Sequence, residues 1–169
     1  MIDIGKELRI MHACERGATG VYRGHKCVAR YFFRTNLNQL DGMRNHEIEH
    51  AMIFEQLLAD KKVRKCFGSS MFFWGGLFYG VFIGLFGLRA IGASTSTIEN
   101  IVNKEIELSL LKLESEQSIS DELKRIQQEE LEHKRCGDEL AGANESDLNY
   151  IKRIANFFAY TAKYLAQKL

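Results

Sequence analysis

Glu47-Ile48-Glu49-His50 and Glu130-Leu131-Glu132-His133 are the two stretches that decide how this chain is expected to fold. In each stretch a glutamate and a histidine lie three residues apart, so on a helix both side chains project from one face. One further glutamate precedes each stretch at a matched distance: Glu15 lies 32 residues before Glu47, and Glu99 lies 31 residues before Glu130. This duplicated order predicts two pairs of helices, with one Glu and one Glu-x-x-His motif in each pair.

Apolar residues recur with helical spacing around all six of these side chains, which places them on the inner faces of four helices. The predicted helices cover residues 4–33, 37–60, 91–113 and 120–140. Short connections join the two helices of each pair, so they should be antiparallel and should bring their acidic residues to one level. The chain contains no proline, which suits long uninterrupted helices.

A single Glu-x-x-His motif is more often a solvated pair on a helix surface, but here both motifs and both lone glutamates lie among apolar residues. An unpaired buried carboxylate costs roughly several kcal/mol, so a core with four of them needs neutralising charge. Two divalent cations would provide it, and carboxylate and imidazole ligands without cysteine favour iron, or else manganese, over structural zinc. We therefore predict a dinuclear metal centre with the ligands Glu15, Glu47, His50, Glu99, Glu130 and His133.

Residues around the predicted ligands indicate a supporting shell and a cavity. Glu129 is expected to orient a ligand histidine, and His12, His25 and His46 are expected in the core or behind the ligands. Small residues cluster on the ligand faces of two helices, which suggests space kept open for a flat ring. The predicted substrate-binding residues are Ala18, Thr19, Gly92, Thr95 and Ser96. Close helix contact, which also selects small residues, is the alternative explanation.

Residues 66–88 form a second unusual segment, with 23 residues, no charge and eight aromatic side chains. Its length would allow it to span a bilayer. A single crossing, however, would put the two helix pairs on opposite sides, and the six ligands could not meet. We therefore expect a crossover helix that covers the bundle and dips into one leaflet, flanked by cations that suit anionic head groups. A crossover helix buried in a soluble bundle is the alternative.

The remaining features of the chain indicate one domain. Residues 147–169 predict a fifth, amphipathic helix, which packs on the bundle or lies on the membrane beside 66–88. The expected fold is all-α: residues 1–169 form a single ferritin-like four-helix bundle with a hydrophobic crossover helix and a C-terminal amphipathic helix. A net charge of +1 gives no argument for nucleic-acid binding.

The cysteines and the N-terminus bear on location. The four cysteines show no CxxC spacing, which indicates reduced thiols. The first residues lack the apolar core of a signal peptide and the Arg- and Ser-rich character of a transit peptide. With the aromatic segment, this predicts a peripheral protein on the inner (cytoplasmic) membrane, facing the cytoplasm.

A family resemblance adds to this interpretation. Residues 8–24, LRIMHACERGATGVYRG, resemble the "LRxxHAGExGATGxYRGQ" opening of the demethoxyubiquinone hydroxylases. Residues 130–137, ELEHKRCG, resemble that family's "EELEHHDTG". The resemblance covers essentially the whole chain and implies the same six metal ligands. Glu105-Ile106 stands where the family usually carries His-Tyr.

The resemblance implies an activity. These hydroxylases are ferritin-like di-iron monooxygenases of coenzyme Q biosynthesis, so the expected reaction is hydroxylation of the ring of a demethoxyubiquinone or demethoxyubiquinol. The implied cofactors are two iron ions, or manganese, with O2 and an external reductant as co-substrates. The implied partners are a polyprenyl quinone or quinol, the membrane surface, and a second copy of the chain or other ubiquinone-biosynthesis proteins.

Two other functions are consistent with a helical metal-binding bundle. A ferritin-like iron-handling protein, acting as a ferroxidase or peroxide scavenger without an organic substrate, would have no need of the aromatic segment. A non-catalytic lipid-binding subunit would be expected to have lost a ligand, whereas all six are present.

Overall fold

The computed structural model describes residues 3–143 and 146–169, and within them the chain is helical with no strand. Short 3-10 turns at Arg34–Asn36 and Ser146–Leu148 precede the second and last helices. The predicted all-α architecture is confirmed. The six helices are α1 (Ile4–Phe32), α2 (Leu37–Asp60), α3 (Ser69–Gly84), α4 (Leu88–Lys112), α5 (Gln117–Ala141) and α6 (Asn149–Lys168).

Local chemistry explains three of the helix ends. The Asp3 side chain accepts a hydrogen bond from the Lys6 backbone N–H at 2.9 Å and caps α1. Gly87 and Gly142 adopt φ angles of +100° and +79°, which suit glycine, at the start of α4 and the end of α5. Both α4 and α5 begin three residues earlier than predicted, while the ends of α1 and α2 lie within one residue of the prediction.

The crossover helix is shorter than the uncharged segment 66–88. Only Ser69–Gly84 is helical, which corresponds to about 24 Å of helix. Among residues 3–143 and 146–169, no helix combines the length and the apolar composition needed to cross a membrane. Helix α3 runs parallel to α1 and returns the chain to the end of the bundle where α2 begins. As a result α4 can run antiparallel to α1 and to α5.

Glycines bring the α1 and α3 backbones into direct contact. A Cβ atom added at Gly76 would lie 2.1 Å from the Gly17 carbonyl oxygen, and one at Gly80 would lie 2.1 Å from that of Val21. From the other side, a Cβ at Gly20 would lie 2.1 Å from the Phe73 carbonyl oxygen. Helix α3 is therefore fixed to the bundle by main-chain contact that any larger residue would prevent.

Helices α4 and α5 make a second close contact, which explains one of the predicted small residues. A Cβ at Gly92 would lie 2.4 Å from the Ala141 nitrogen, and one at Gly137 would lie 2.6 Å from the Ser96 nitrogen. Gly92 thus serves helix packing.

Two apolar clusters close the bundle on either side of its centre. One joins α1, α2, α4 and α5 through Leu8, Phe54, Leu58, Ile106, Leu113, Ile119, Leu123 and Ile126. The other is built around Tyr22, Ala29, Leu40, Met43 and Ile91. The predicted ligands lie between these clusters, so they are sealed from water along the bundle axis.

Helix α6 packs on α4 and α1, reaches α3 through aromatic rings, and leaves an aromatic surface exposed. The Tyr79 and Phe158 rings stack with centroids 3.9 Å apart, and the Phe86 and Tyr150 rings meet at 6.1 Å. What we call the aromatic face consists of the exposed side chains Phe67, Met71, Trp74, Phe78, Phe82, Leu85 and Phe86 around α3 and Tyr150, Phe157, Tyr160 and Tyr164 on α6.

The α1–α3 contact gives a first test. Gly80→Ala should lower the free energy of unfolding by about 1–3 kcal/mol, because its Cβ must push the two backbones apart. Gly75→Ala is the matched control, since no described atom lies within 4 Å of its added Cβ, and it should stabilise by up to about 1 kcal/mol. Urea unfolding of the two variants measures the difference. Equal stabilities would contradict the main-chain contact.

Candidate metal centre

Four helices bring the six predicted ligands together in the middle of the bundle. Each of these residues is at most 6 % exposed. Their donor atoms form two groups, each with all atoms within 4.8 Å of one another: Glu15, Glu47, His50 and Glu130 in one, and Glu47, Glu99, Glu130 and His133 in the other. Because Glu47 and Glu130 belong to both groups, the arrangement suits two ions that share two carboxylates.

The donor atoms fit a metal centre better than a hydrogen-bonded core. Glu47 Oε1, His50 Nδ1 and Glu130 Oε1 are buried and have no hydrogen-bond partner among the described residues. His50 Nδ1 and Glu130 Oε1 lie 3.0 Å apart, and His133 Nδ1 lies 3.0 Å from Glu130 Oε2 and 3.3 Å from Glu47 Oε1. Leaving a buried polar atom unpaired costs about 1–3 kcal/mol. Divalent cations between these atoms would satisfy them.

Burial and crowding shift the protonation of the carboxylates. Burial, with the neighbouring carboxylates adding to it, raises the pKa of Glu47 and of Glu99 well above the ordinary value. Burial also acts to raise the pKa of Glu130, but the close imidazoles of His133 and His50 outweigh it and lower that pKa to about 2.

The ligand histidines shift the other way. Burial acts to lower the pKa of His50, but Glu130 and Glu15 raise it to about 12. Burial likewise acts to lower the pKa of His133, but Glu130 outweighs burial, so this pKa is raised. Without metal the cluster therefore holds protons where cations would lie, and ions must displace those protons as they bind.

Three groups hold the ligands from behind. His50 Nε2 lies 2.7 Å from Glu129 Oε2, and Arg125 donates to Glu129 at 3.0 Å. The structure therefore puts Glu129 behind a ligand histidine. His133 Nε2 lies 3.0 Å from His46 Nδ1, and the two rings are nearly parallel, with their centroids 5.2 Å apart and their edges facing each other. The Tyr22 hydroxyl donates to Glu99 Oε1 at 2.6 Å.

Sequence reasoning did not identify Tyr22 as a partner of Glu99. Its helical position showed that the ring would face the core, but nothing in the spacing linked it to a residue 77 positions away. The other two histidines are core residues: His12 is 2 % and His25 is 0 % exposed. Burial lowers the pKa of His25 to about 3, so this histidine is neutral.

A cavity of about 300 Å³ opens from the carboxylates of Glu15, Glu47, Glu99 and Glu130 and extends between α1, α4 and α6 to α3. It follows α4 from Ile98 to Lys112, which is about 20 Å of helix. Its walls are mostly apolar and include Met11, Val21, Phe54, Val102, Ile106, Phe158 and Ala162. The ion pair Glu105–Lys163, at 2.6 Å, joins α4 to α6 in its wall.

The cavity lies on a different side of α4 from the one predicted. Of the five predicted substrate-binding residues, Ala18 lines it. Thr19 donates to the Glu15 carbonyl oxygen at 2.9 Å, and Thr95 is buried without lining it. Ser96 donates to Asp138 of α5, and Gly92 also packs on α5. Gly92 and Ser96 thus make close helix contacts, which is the alternative explanation of their small size, while Ile98 and Val102 face the cavity.

Cys14 is a cavity-lining residue that sequence reasoning left out. Burial raises the pKa of its thiol to about 12. The position follows directly from Glu15, since neighbouring residues on α1 reach both the metal centre and the adjoining wall.

The chain is similar to one protein family and to two curated relatives. The family model described as ubiquinone biosynthesis protein COQ7 matches residues 3–165. The chain is 28 % identical over 138 residues to a mitochondrial NADPH-dependent 3-demethoxyubiquinone 3-hydroxylase of Dictyostelium discoideum. It is 27 % identical over 135 residues to a 3-demethoxyubiquinol 3-hydroxylase of Rhodospirillum rubrum. Each alignment covers 79 % of this chain and 63 % of the relative, so the chain spans less than two thirds of either relative's length.

The shifted pKa values predict how pH affects the metal-free protein. Glu47 and Glu99 keep protons that the unfolded chain releases near its ordinary pKa of 4.5. His50, with a pKa of about 12, keeps a proton that the unfolded chain loses near 6.5.

Below about pH 6.5 the buried His25 and His12, whose pKa values are lowered, offset this difference, because the unfolded chain protonates them and the folded chain does not. Above about pH 6.5 the folded state binds more protons, so stability should fall as pH rises from about 6.5 to 8. Glu130 is ionised in both states over this range and adds no slope.

Thermal unfolding of metal-free protein at several pH values measures this dependence. The variant His50→Gln should show a shallower slope above about pH 6.5, where the histidine contribution begins. Metal-free protein that becomes more stable across this range would contradict the assigned protonation states.

Proposed function

The chain belongs to the family of the ubiquinone biosynthesis protein COQ7, and from this premise we propose that it is a di-iron, O2-dependent hydroxylase. Its proposed substrate is the ring of a demethoxyubiquinone or demethoxyubiquinol intermediate. The observation that carries the proposal is the apolar cavity that opens onto four of the six predicted ligands. A centre built only to store or oxidise metal ions would have no use for an apolar cavity of that length.

The donor set supports iron. Four carboxylates and two imidazoles without a cysteine match the ligands of carboxylate-bridged di-iron bundles, with manganese as the second choice. When bound, two iron ions would supply the activation of O2. In the balanced reaction, a ring C–H, O2, two electrons and two protons give a ring C–OH and water, with the electrons coming from an external reductant.

The protein's own residues would shape the environment of that reaction. The apolar walls would exclude water from the space beside the carboxylates, which limits side reactions there. Glu129, held by Arg125, fixes the ring of His50, and Tyr22 fixes the carboxylate of Glu99. Because these ligands cannot rotate freely, the donor atoms stay directed at the centre of the bundle.

The aromatic face supports membrane association. Met71, Phe72 and Gly75 of α3 and Leu165 of α6 line the cavity next to this face. A polyprenyl tail could therefore extend from the cavity into lipid while the ring remains beside Glu15. Lys61, Lys62, Arg64 and Lys65 precede α3 and suit anionic head groups. The proposed location is peripheral, on the cytoplasmic face of the inner membrane.

The cavity provides the functional test. Iron-reconstituted protein should bind about two iron ions per chain and should hydroxylate a short-tailed demethoxyubiquinol, incorporating one atom from labelled O2. Ala18→Leu should keep the iron but lose at least about 90 % of the hydroxylation, because its side chain fills space beside Glu15. Ala59→Leu, on the exposed face of α2, is the matched control and should be fully active. Mass spectrometry of the quinone products measures the reaction.

Two results would argue against the proposed hydroxylase. If wild-type protein consumes O2 with iron but leaves every quinone unchanged, the iron-handling function is the better explanation. If Ala18→Leu hydroxylates at the wild-type rate, the ring binds elsewhere.

Membrane association can be tested through the single tryptophan of the chain. Trp74 lies on the aromatic face and is 56 % exposed, so its emission should shift to the blue on vesicles containing anionic phospholipid. Phe78→Glu should weaken vesicle binding at least about tenfold, since it places a charge in the centre of this face. Leu111→Glu is the control: Leu111 is 76 % exposed on α4, away from the aromatic face. If both variants bind vesicles as the wild type does, another surface contacts the membrane.

A further inference from the structure

The two ligand histidines are held by chemically different groups. Both direct Nδ1 at the carboxylates of the centre. Behind His50, Nε2 meets the carboxylate of Glu129, which Arg125 fixes at 3.0 Å. Behind His133, Nε2 meets another imidazole, that of His46, at 3.0 Å. The two halves of the centre, otherwise alike in their donor atoms, differ at this outer contact.

The geometry determines where the protons lie when a metal is bound. A histidine that binds a cation through Nδ1 must carry its proton on Nε2. His50 then donates to Glu129, and His133 donates to Nδ1 of His46. For that bond to form, His46 must be neutral and must carry its own proton on Nε2. His46 therefore acts on the metal only through His133.

The difference affects how strongly each histidine donates to a cation. A carboxylate that accepts the outer N–H pushes electron density into the imidazole and makes Nδ1 a better ligand. A neutral imidazole does this less, because it carries no charge. A second contact acts in the same direction: Tyr22 donates to Glu99 Oε1 at 2.6 Å and so engages a carboxylate oxygen on the side of His133. In the described parts of the chain, no side chain outside the six predicted ligands donates a hydrogen bond to the Glu15 carboxylate as Tyr22 does to Glu99.

We propose that the two metal positions are inequivalent. The position formed by Glu15 and His50 fills first and holds its ion more tightly, while the position formed by Glu99 and His133 fills second and releases its ion first. His46 is the positioning residue of the weaker position, and Glu129 is that of the tighter one. This inference rests on the proposed metal centre but not on the proposed hydroxylation.

The test is a stepwise titration of the metal-free full chain with Co²⁺, in which calorimetry and visible absorption measure the binding. Wild-type protein should bind two ions in two steps whose dissociation constants differ about tenfold or more. His46→Phe keeps an aromatic ring at this position but removes the acceptor, so the second step should weaken about tenfold and the first should not change. Glu129→Gln replaces the charged acceptor with a neutral one, so the first ion should bind more weakly and the dissociation constants of the two steps should become similar.

A conservative variant separates hydrogen bonding from folding. His46→Gln loses the ring but keeps an acceptor, so its second step should stay within about threefold of the wild type. Thermal unfolding of each metal-free variant checks that the bundle is intact. The proposal is overturned if wild-type protein binds both ions in one step, if His46→Phe matches the wild type, or if it weakens the first step. Two-step binding without hydroxylation would contradict the proposed function alone, whereas hydroxylation with one-step binding would contradict this inference alone.

Discussion

Four carboxylates crowded into one buried layer are the constraint on which the rest of this structure depends. Like charges at such short distances cannot all be ionised in a medium of low polarity. The fold answers in two ways: Glu47 and Glu99 retain protons, and two imidazoles lie beside Glu130. Apolar clusters on both sides of this layer make the arrangement stable enough to persist. Without cations, the buried layer thus keeps its charge low by holding protons on its carboxyl and imidazole groups.

The crossover helix sets the orientation of the second helix pair relative to the first. Two antiparallel pairs joined by a short loop would present their motifs in the wrong relative orientation. Helix α3 carries the chain back along α1, and it fits there because Gly76 and Gly80 let the two backbones touch. The same helix presents Trp74 and Phe78 outward, so one element both closes the bundle and forms most of the aromatic face.

That the six predicted ligands lie together could be foreseen from the sequence, because their placement follows a local rule. Two residues three apart on a helix share a face whatever the rest of the fold does, and duplication with matched spacing made coincidence improbable. The cavity depends instead on how α1, α4 and α6 diverge, which a few degrees of helix rotation can change. Gly92 and Ser96 were therefore placed on the correct element but beside α5, and Ile98 and Val102 were overlooked. Tyr22 was missed for a related reason, since its hydrogen bond joins two helices that are distant in sequence.

The thiol of Cys14 has a consequence for the durability of the protein. If the centre activates oxygen as proposed, a sulfur atom next to it would ordinarily be the first group oxidised by any oxidant that escapes. Oxidation proceeds through the thiolate, and with a pKa of about 12 only roughly one Cys14 in 10⁵ is in that form near pH 7. The burial that shapes the cavity wall therefore also keeps the Cys14 sulfur, next to Glu15, in its less reactive thiol form.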